Sequence, residues 1–256
     1  MLQHGHARRQ VGTSLGLSNM SSIVGLLVRR RLDLAEEPDQ FETRTAVPRV
    51  SSRYSYASLG KRTFDLLGSL VLLLLFAPAI LFLGGIVALE GGKPFIGLRR
   101  VGHDGRHFRC WKIRTMVLDA DERLAQLLSQ SPEAAAEWAR DQKLADDPRV
   151  TWLGRSLRAT SLDELPQLWN VVRGDMSLVG PRPVTDAEMV RYGEAAAHYV
   201  SVRPGITGLW QVQGRNDVSY DERVRLDVSY VSQLGFTKDI SILLRTVGAV
   251  LNRTGR

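Results

Sequence analysis

Residues 66–89 run for 24 positions without a charge, between Asp65 and Glu90, inside the stretch KRTFDLLGSLVLLLLFAPAILFLGGIVALEGGK. About 20 such residues suffice for a helix to cross a bilayer. The alternative is a buried core helix, but a single small domain can hardly cover a leucine-rich rod on every face. Lys61 and Arg62 stand at the entrance of this segment, and Lys93, Arg99 and Arg100 stand just past its exit. The positive-inside bias therefore wants both ends on the cytoplasmic side. Pro78, near the middle, removes one backbone bond and kinks the helix. A bent helix that enters and leaves by the same face satisfies both observations, whereas a simple span leaves the arginine-bearing N-terminal arm on the wrong side. The re-entrant reading is favoured, with residues 59–90 as a membrane helix kinked near Pro78.

The 256 residues allow one sizeable domain plus appendages, and no repeat of 20–50 residues stands out. Residues 1–58 mix Arg, Ser, Glu and Pro with little periodicity and read as a flexible arm with room for one short helix. The early apolar run, residues 23–28, is too short for a secretory signal and is followed directly by Arg29, Arg30 and Arg31. A single cysteine, Cys110, rules out an internal disulfide framework and fits a reducing compartment. The formal net charge of +7 calls for an anionic partner. Nucleic acid, acidic lipid and phosphorylated small molecules all satisfy it equally.

Beyond the apolar segment, residues 91–256 read as a compact domain. Gly91, Gly92 and the GHDG sequence are turn signals around FIGLRRV and HFRCWKI, which predicts a β-hairpin. Most of its cations suit a solvated face, but Lys112 and Arg114 fall on one side of a strand and could present charge to a phosphate. Asp119 opens a helix with Leu124, Leu127 and Leu128 on one face, and SPEAAAEW starts another with Ser131 as cap and Pro132 at the first position. VTWLGRSLR reads as a short third helix. Ile240, Leu243, Leu244, Val247, Val250 and Leu251 form an apolar stripe near the C-terminus. It suits an interfacial helix or one packed on the domain core about equally.

In SLDELPQLWN the carboxylates Asp163 and Glu164 stand side by side, two residues ahead of Pro166. Leu165, Leu168, Trp169 and Val172 recur at helical spacing, and Pro166 is tolerated only in a first turn, so the helix is expected to start near Asp163. The plain structural reading is that Asp163 caps that helix, Glu164 complements its dipole, and Ser161 with Glu164 forms a capping box. Context weighs against leaving it there. Downstream, GDMSLVGPRPV fixes Arg182 between Pro181 and Pro183, and a rigid loop presenting one guanidinium suits phosphate oxygens. A solvated turn arginine is the bland alternative. VRPGITGLWQVQGR adds two glycine-bearing turns flanked by Arg203 and Arg215, a weaker signal of the same kind.

KRTFD ahead of a long apolar segment, then KIRTM, SLDELPQLWNVVRGDMSLVGPRP and RPGITGLWQV, occur in that order. Together they resemble the bacterial sugar transferases, the small monotopic phosphoglycosyl transferases that act on polyprenol phosphate. The resemblance covers residues 58–256, and its most specific part is the run from Ser161 to Pro183. It implies transfer of a sugar-1-phosphate from a UDP-sugar, glucose or galactose, to undecaprenyl phosphate, with release of UMP as an exopolysaccharide is begun. It further implies Asp163 as nucleophile, Mg2+ held by Asp163 and Glu164, and donor phosphates contacted by Arg182, Lys112, Arg158 and Arg203. The helix N-terminus expected under Asp163 would lend donors to an anion and depress the aspartate's pKa. The implied partners are the donor, the lipid acceptor and the bilayer, at the cytoplasmic face of the bacterial inner membrane, with no nucleic acid. Oligomeric state, a homo-oligomer included, stays open.

The resulting fold expectation is a helix-rich α+β chain: a re-entrant membrane helix followed by a compact cytoplasmic catalytic domain with a small β-hairpin. The family's membrane helix breaks at a proline, matched here by Pro78, though Ala77 stands where some relatives have serine. Two other classes stay in view. An ordinary glycosyltransferase would release UDP, and a membrane-anchored basic binding module would carry no chemistry.

Overall fold

The computed structural model describes residues 56–141, 144–213 and 218–251. The expected N-terminal arm, apart from residues 56–58, lies outside them, as does Arg215. Two compact units are distinguished, one comprising Asp119–Arg149 and the other the described residues up to Leu118 and from Val150 onward. The smaller holds two helices, α2 (Ala120–Gln130) and α3 (Pro132–Asp141), and the Ser131 hydroxyl accepts from Ala134 N at 3.2 Å as the cap expected from the sequence.

The larger unit is helix-rich α+β. A π-turn, Tyr56–Gly60, leads into α1 (Lys61–Leu89), which runs on through Pro78. It is long and apolar enough to cross a membrane, and most of its surface is left uncovered. The hairpin is β1 (Phe95–Val101) against β2 (His107–Ile113), antiparallel, with Arg100 opposite Phe108 and Ile96 opposite Lys112. Then come α4 (Trp152–Thr160), a 3-10 turn at Leu162–Glu164, α5 (Gln167–Arg173) and β3 (Ser177–Val179). After short helical pieces α6 (Asp186–Met189) and α7 (Ala196–Val200), β4 (Gly205–Thr207) pairs parallel with β3. The chain continues through α8 (Leu209–Gln213), α9 (Tyr220–Ser232) and α10 (Phe236–Leu251).

The main core gathers Val171, Met176, Leu178, Val179, Tyr230 and Ile242 from α5, β3, α9 and α10. α10 serves both faces of its stripe. Asp239 and Ile242 are buried while Leu244, Val247 and Val250 stay exposed. On α1 the residues Lys61, Asp65, Ser69, Ile80, Gly84 and Val87 form one buried stripe, with Leu67, Val71, Leu74, Leu75, Leu81 and Phe82 exposed elsewhere around the helix. Both ends of α1 are fastened to this same unit. At the start, Lys61 Nζ lies 3.0 Å from Asp65 Oδ1 and 2.8 Å from Asp239 Oδ2, and Asp65 Oδ1 accepts from Leu178 N at 3.1 Å. At the end, Val87 packs with Ile113 and Leu157. Arg114, expected from the sequence as a candidate phosphate contact, instead lies just past the end of β2 and is buried. Its guanidinium donates to the carbonyls of Val87, in the last turn of α1, and of Gly91 and Lys93 just beyond it.

The glycines of LVGPRP and RPGITG are explained by backbone contact between β3 and β4. A Cβ on Gly205 would stand 2.1 Å from Gly180 N, and one on Gly180 would stand 2.6 Å from Arg203 O. Neither neighbour is a side chain that could swing aside. Gly205→Ala is therefore expected to cost at least about 1–3 kcal/mol, read as a lowered thermal midpoint of the detergent-solubilised chain. An unchanged midpoint would mean that the two backbones do not touch as described.

Candidate active site

The site is built where β2, the Leu162–Glu164 turn and the Pro181–Arg182–Pro183 loop converge. α4 ends at Ser161, whose φ of 58° lets its N–H return to Arg158 O and Leu157 O. The next residues form a 3-10 turn, in which Glu164 N bonds Ser161 O at 3.2 Å and Leu165 N bonds Leu162 O at 3.3 Å. α5 begins only at Gln167, with Pro166 at its cap position. This corrects three expectations. Asp163 does not cap the helix, Ser161 and Glu164 form no capping box, and no helix N-terminus lies under the aspartate. The physical reason is that the tight turn already consumes the local amides, so the carboxylates are left to face other partners.

Those partners are cations. Lys112 Nζ donates to Glu164 Oε1 at 2.6 Å and lies 3.6 Å from Asp163 Oδ2. Arg182 Nη2 stands 3.6 Å from the same Glu164 oxygen. Arg158 Nε donates to Thr115 Oγ1 at 2.9 Å, and its charge acts on Asp163. Asp163 is buried, and burial pushes its pKa above the ordinary aspartate value despite the pull of Lys112. The depressed pKa expected from the sequence is thereby reversed, because burial outweighs the pull of Lys112, Arg158 and Arg182. For Glu164 burial works in the same upward direction but is outweighed by Lys112 and Arg182, which hold it below the usual glutamate value. The two neighbours thus differ in character, one carboxylate firmly ionised and the other poorly stabilised as an anion.

Arg182 is held by its flanks. Gly205 N donates to Pro181 O at 2.8 Å, Val101 N donates to Val184 O at 3.0 Å, and the Tyr199 hydroxyl donates to Val101 O at 2.9 Å while accepting from Val184 N at 3.2 Å. The Arg182 side chain remains 44 % exposed and open to a ligand. The cleft in front of it is lined by Arg100, Cys110, Lys112, Glu164, Gln167, Arg182, Pro183 and Ile206. Cys110 is no rival nucleophile there, since burial pushes its thiol pKa up. Asn170, fully buried, fixes the floor by accepting from Trp111 N at 3.0 Å and donating to Arg109 O at 2.8 Å, which ties α5 to β2.

Of the candidate residues, the structure brings Lys112, Arg158, Asp163, Glu164 and Arg182 together. Arg203 is directed elsewhere, its Nε donating to Gly174 O at 2.8 Å beyond the end of α5. Arg100 and Gln167 were not legible as site residues. The alternation of β1 could have flagged Arg100 once its register with Lys112 was known, and Gln167 carried no signal beyond its helix. Asp163 and Glu164 offer adjacent hard oxygen donors, and no group of three or more His, Cys, Asp or Glu side chains fit for a metal occurs among the described residues. Two carboxylates suit an ion that completes its shell with phosphate and water, and the ammonium of Lys112 between them already marks a position favouring positive charge.

The model of the family described as bacterial sugar transferase matches residues 56–253. A UDP-galactose-lipid carrier transferase of Erwinia amylovora is 54% identical over 195 residues, 76% of this chain and 41% of that protein. An undecaprenyl-phosphate galactose phosphotransferase of Salmonella typhimurium is 49% identical over 195 residues, again 76% of this chain and 41% of the relative. The exopolysaccharide production protein ExoY of Rhizobium meliloti is 49% identical over 193 residues, which span 75% of this chain and 85% of that protein. The chain thus spans well under half the length of the first two relatives and most of the third.

Proposed function

Because the chain belongs to the bacterial sugar transferase family, we propose that it transfers a hexose-1-phosphate from a UDP-sugar to undecaprenyl phosphate, releases UMP, and so initiates an exopolysaccharide. The names of the two relatives that share 54% and 49% identity favour galactose as the sugar. Glucose is the second choice. The observation that carries the reading is the convergence of Lys112, Arg158 and Arg182 on the adjacent carboxylates Asp163 and Glu164.

In the first step an Asp163 oxygen attacks the phosphorus that bears the sugar. The bond from that phosphorus to the bridging oxygen breaks, and UMP departs with the electron pair. In the second, an oxygen of the lipid phosphate attacks the phosphosugar-aspartate and returns the Asp163 carboxylate. A buried aspartate with an elevated pKa is poorly solvated and therefore a more reactive nucleophile than one stabilised by several donors. Lys112 and Arg182 balance Glu164 and the phosphate oxygens, while Arg158 offsets charge on the attacked group. Asp163 and Glu164 are the residues that would hold Mg2+, whose charge offsets that of the diphosphate.

The lipid acceptor requires a site at the membrane surface. α1 serves as the anchor, a re-entrant helix kinked near Pro78 that enters and leaves on the cytoplasmic face. Support comes from the basic residues at its start and just past its end and from the attachment of both ends to one unit. The chain then divides into an arm, residues 1–58, a membrane helix, residues 59–90, and a catalytic domain, residues 91–256.

The test uses the purified full chain in detergent with Mg2+, undecaprenyl phosphate and a panel of UDP-sugars, and it identifies the nucleotide released. UMP from UDP-galactose, lost in Asp163→Ala, supports the reading. UDP in place of UMP would indicate simple glycosyl transfer, and no nucleotide from any donor would favour a basic binding module.

A further inference from the structure

Arg100 and Gln167 line the same cleft as the candidate catalytic groups but have no part in the steps above. In the hairpin, Leu98 faces Cys110, Arg100 faces Phe108 and Ile96 faces Lys112, so the alternation of both strands sends Arg100 and Lys112 to one face. The one hydrogen bond of the Arg100 guanidinium among the described residues goes to its neighbour's carbonyl, Arg99 O, at 3.0 Å. Gln167 is 3% exposed, yet its side-chain amide makes no hydrogen bond among the described residues. Its amide opens into the cleft, where a ligand can meet it.

The order of groups along the site indicates which part of the donor belongs there. Asp163 and Arg158 lie outside the cleft lining, whereas Lys112, Glu164, Arg182, Arg100 and Gln167 line it, and Lys112, 3.6 Å from Asp163, joins the two. In phosphoryl transfer the attacking and departing oxygens are roughly in line, so the departing group projects away from the nucleophile. Three cations, Arg100, Lys112 and Arg182, face a single carboxylate, Glu164, in that cleft. The excess suits a phosphate monoester, which carries about −1.5 to −2 charge at neutral pH. The Val101 to Val184 bond and the Tyr199 hydroxyl that bridges the same two residues tie the strand of Arg100 to the loop of Arg182, and both arginines line the cleft.

We propose that Arg100 and Gln167, together with Arg182, form the subsite for the leaving phosphate, the one that departs on the nucleoside monophosphate. Arg100 donates to its oxygens from the strand side, and the Gln167 amide donates from the floor. The assignment rests on the proposed sugar-phosphate transfer and specifies how its first product is held.

The test is calorimetric titration of UMP and of uridine into the detergent-solubilised full chain, without donor or lipid. Wild type should bind UMP more tightly than uridine. The ratio of the two affinities should fall about tenfold or more in Arg100→Ala, recover in part in Arg100→Lys, and fall at least as far in Gln167→Glu, which is nearly isosteric but opposes the phosphate. Because the ratio compares two ligands on one preparation, a general loss of folded protein does not mimic the effect. An unchanged ratio in Arg100→Ala and Gln167→Glu, with UMP still released from the donor by wild type, overturns the subsite and leaves the transferase reading standing. Wild type that neither binds UMP nor releases it overturns both.

Discussion

Asp163→Asn is expected to lower the proposed sugar-phosphate transfer by roughly 10⁴- to 10⁶-fold, the range seen when a nucleophile or its essential partner is removed, without lowering the thermal midpoint at neutral pH. The first half follows from the proposed mechanism, since an amide oxygen forms no stable phosphosugar ester. The second follows from linkage. Burial raises the Asp163 pKa, so the folded state binds this proton more tightly than the unfolded chain does. The stability this contributes is complete below the unfolded pKa and is lost as pH rises through the folded one. At neutral pH the ionised Asp163 therefore costs stability, and a neutral isostere relieves that cost. The same shift makes wild-type transfer fall as pH drops through the elevated pKa, at a higher pH than an ordinary aspartate would give. Glu164, held low by Lys112 and Arg182, is still ionised there. A substantial residual rate in Asp163→Asn, or failure to trap a phosphosugar on wild-type Asp163 by mass spectrometry, would sink the covalent route.

Lys61→Met lowers the unfolding midpoint of the solubilised chain by roughly 10 °C. One buried ammonium here serves two buried carboxylates, at 3.0 Å from Asp65 and 2.8 Å from Asp239. Around them Tyr56 donates to Asp239 Oδ2 at 2.7 Å, and the Tyr230 hydroxyl lies 2.8 Å from Asp239 Oδ1 and 2.9 Å from Val179 O. Removing the cation leaves two negative charges buried against each other, a change that costs about 3–5 kcal/mol. In a protein of this size each kcal/mol moves the midpoint by about 2–4 °C. Lys61→Met combined with Asp239→Asn should recover part of the loss, because one of the uncompensated charges is gone. A midpoint within about 2 °C of wild type in the single variant would mean that the cluster is hydrated rather than buried. The knot also gives the KRTFD sequence its meaning. Lys61 and Asp65 fasten the start of α1, while Arg62 donates to Val171 O at 2.6 Å and Val172 O at 3.0 Å at the end of α5.

Features that depend on near neighbours were legible in the sequence. The helix with Asp119 before it, the helix starting at Pro132, α4 and the hairpin all appear where turn residues and periodicity put them. The local signals misled where a tertiary demand competed. The spacing of Leu165, Leu168 and Val172 is helical, but the helix starts later than Pro166 suggested, because the 3-10 turn at Leu162–Glu164 aims Asp163 at Lys112 and Arg158. Among the arginines, charge alone could not separate roles. Arg182 faces the cleft, whereas Arg114 and Arg203 are spent on backbone carbonyls that end helices α1 and α5.

By itself the sequence determined an apolar rod flanked by cations, a helix-rich domain, and the pairing of Asp163 and Glu164 with a proline-locked arginine. All of these rest on residue type and short spacing. Only the tertiary structure decided that Lys112, 51 positions before Asp163, would stand 3.6 Å from it, that Arg100 and Gln167 would share its cleft, and that the aspartate's pKa would rise instead of fall. Strand register, burial and the partners of a charge are set by contacts between segments far apart in the chain, and no local pattern encodes the distance between them.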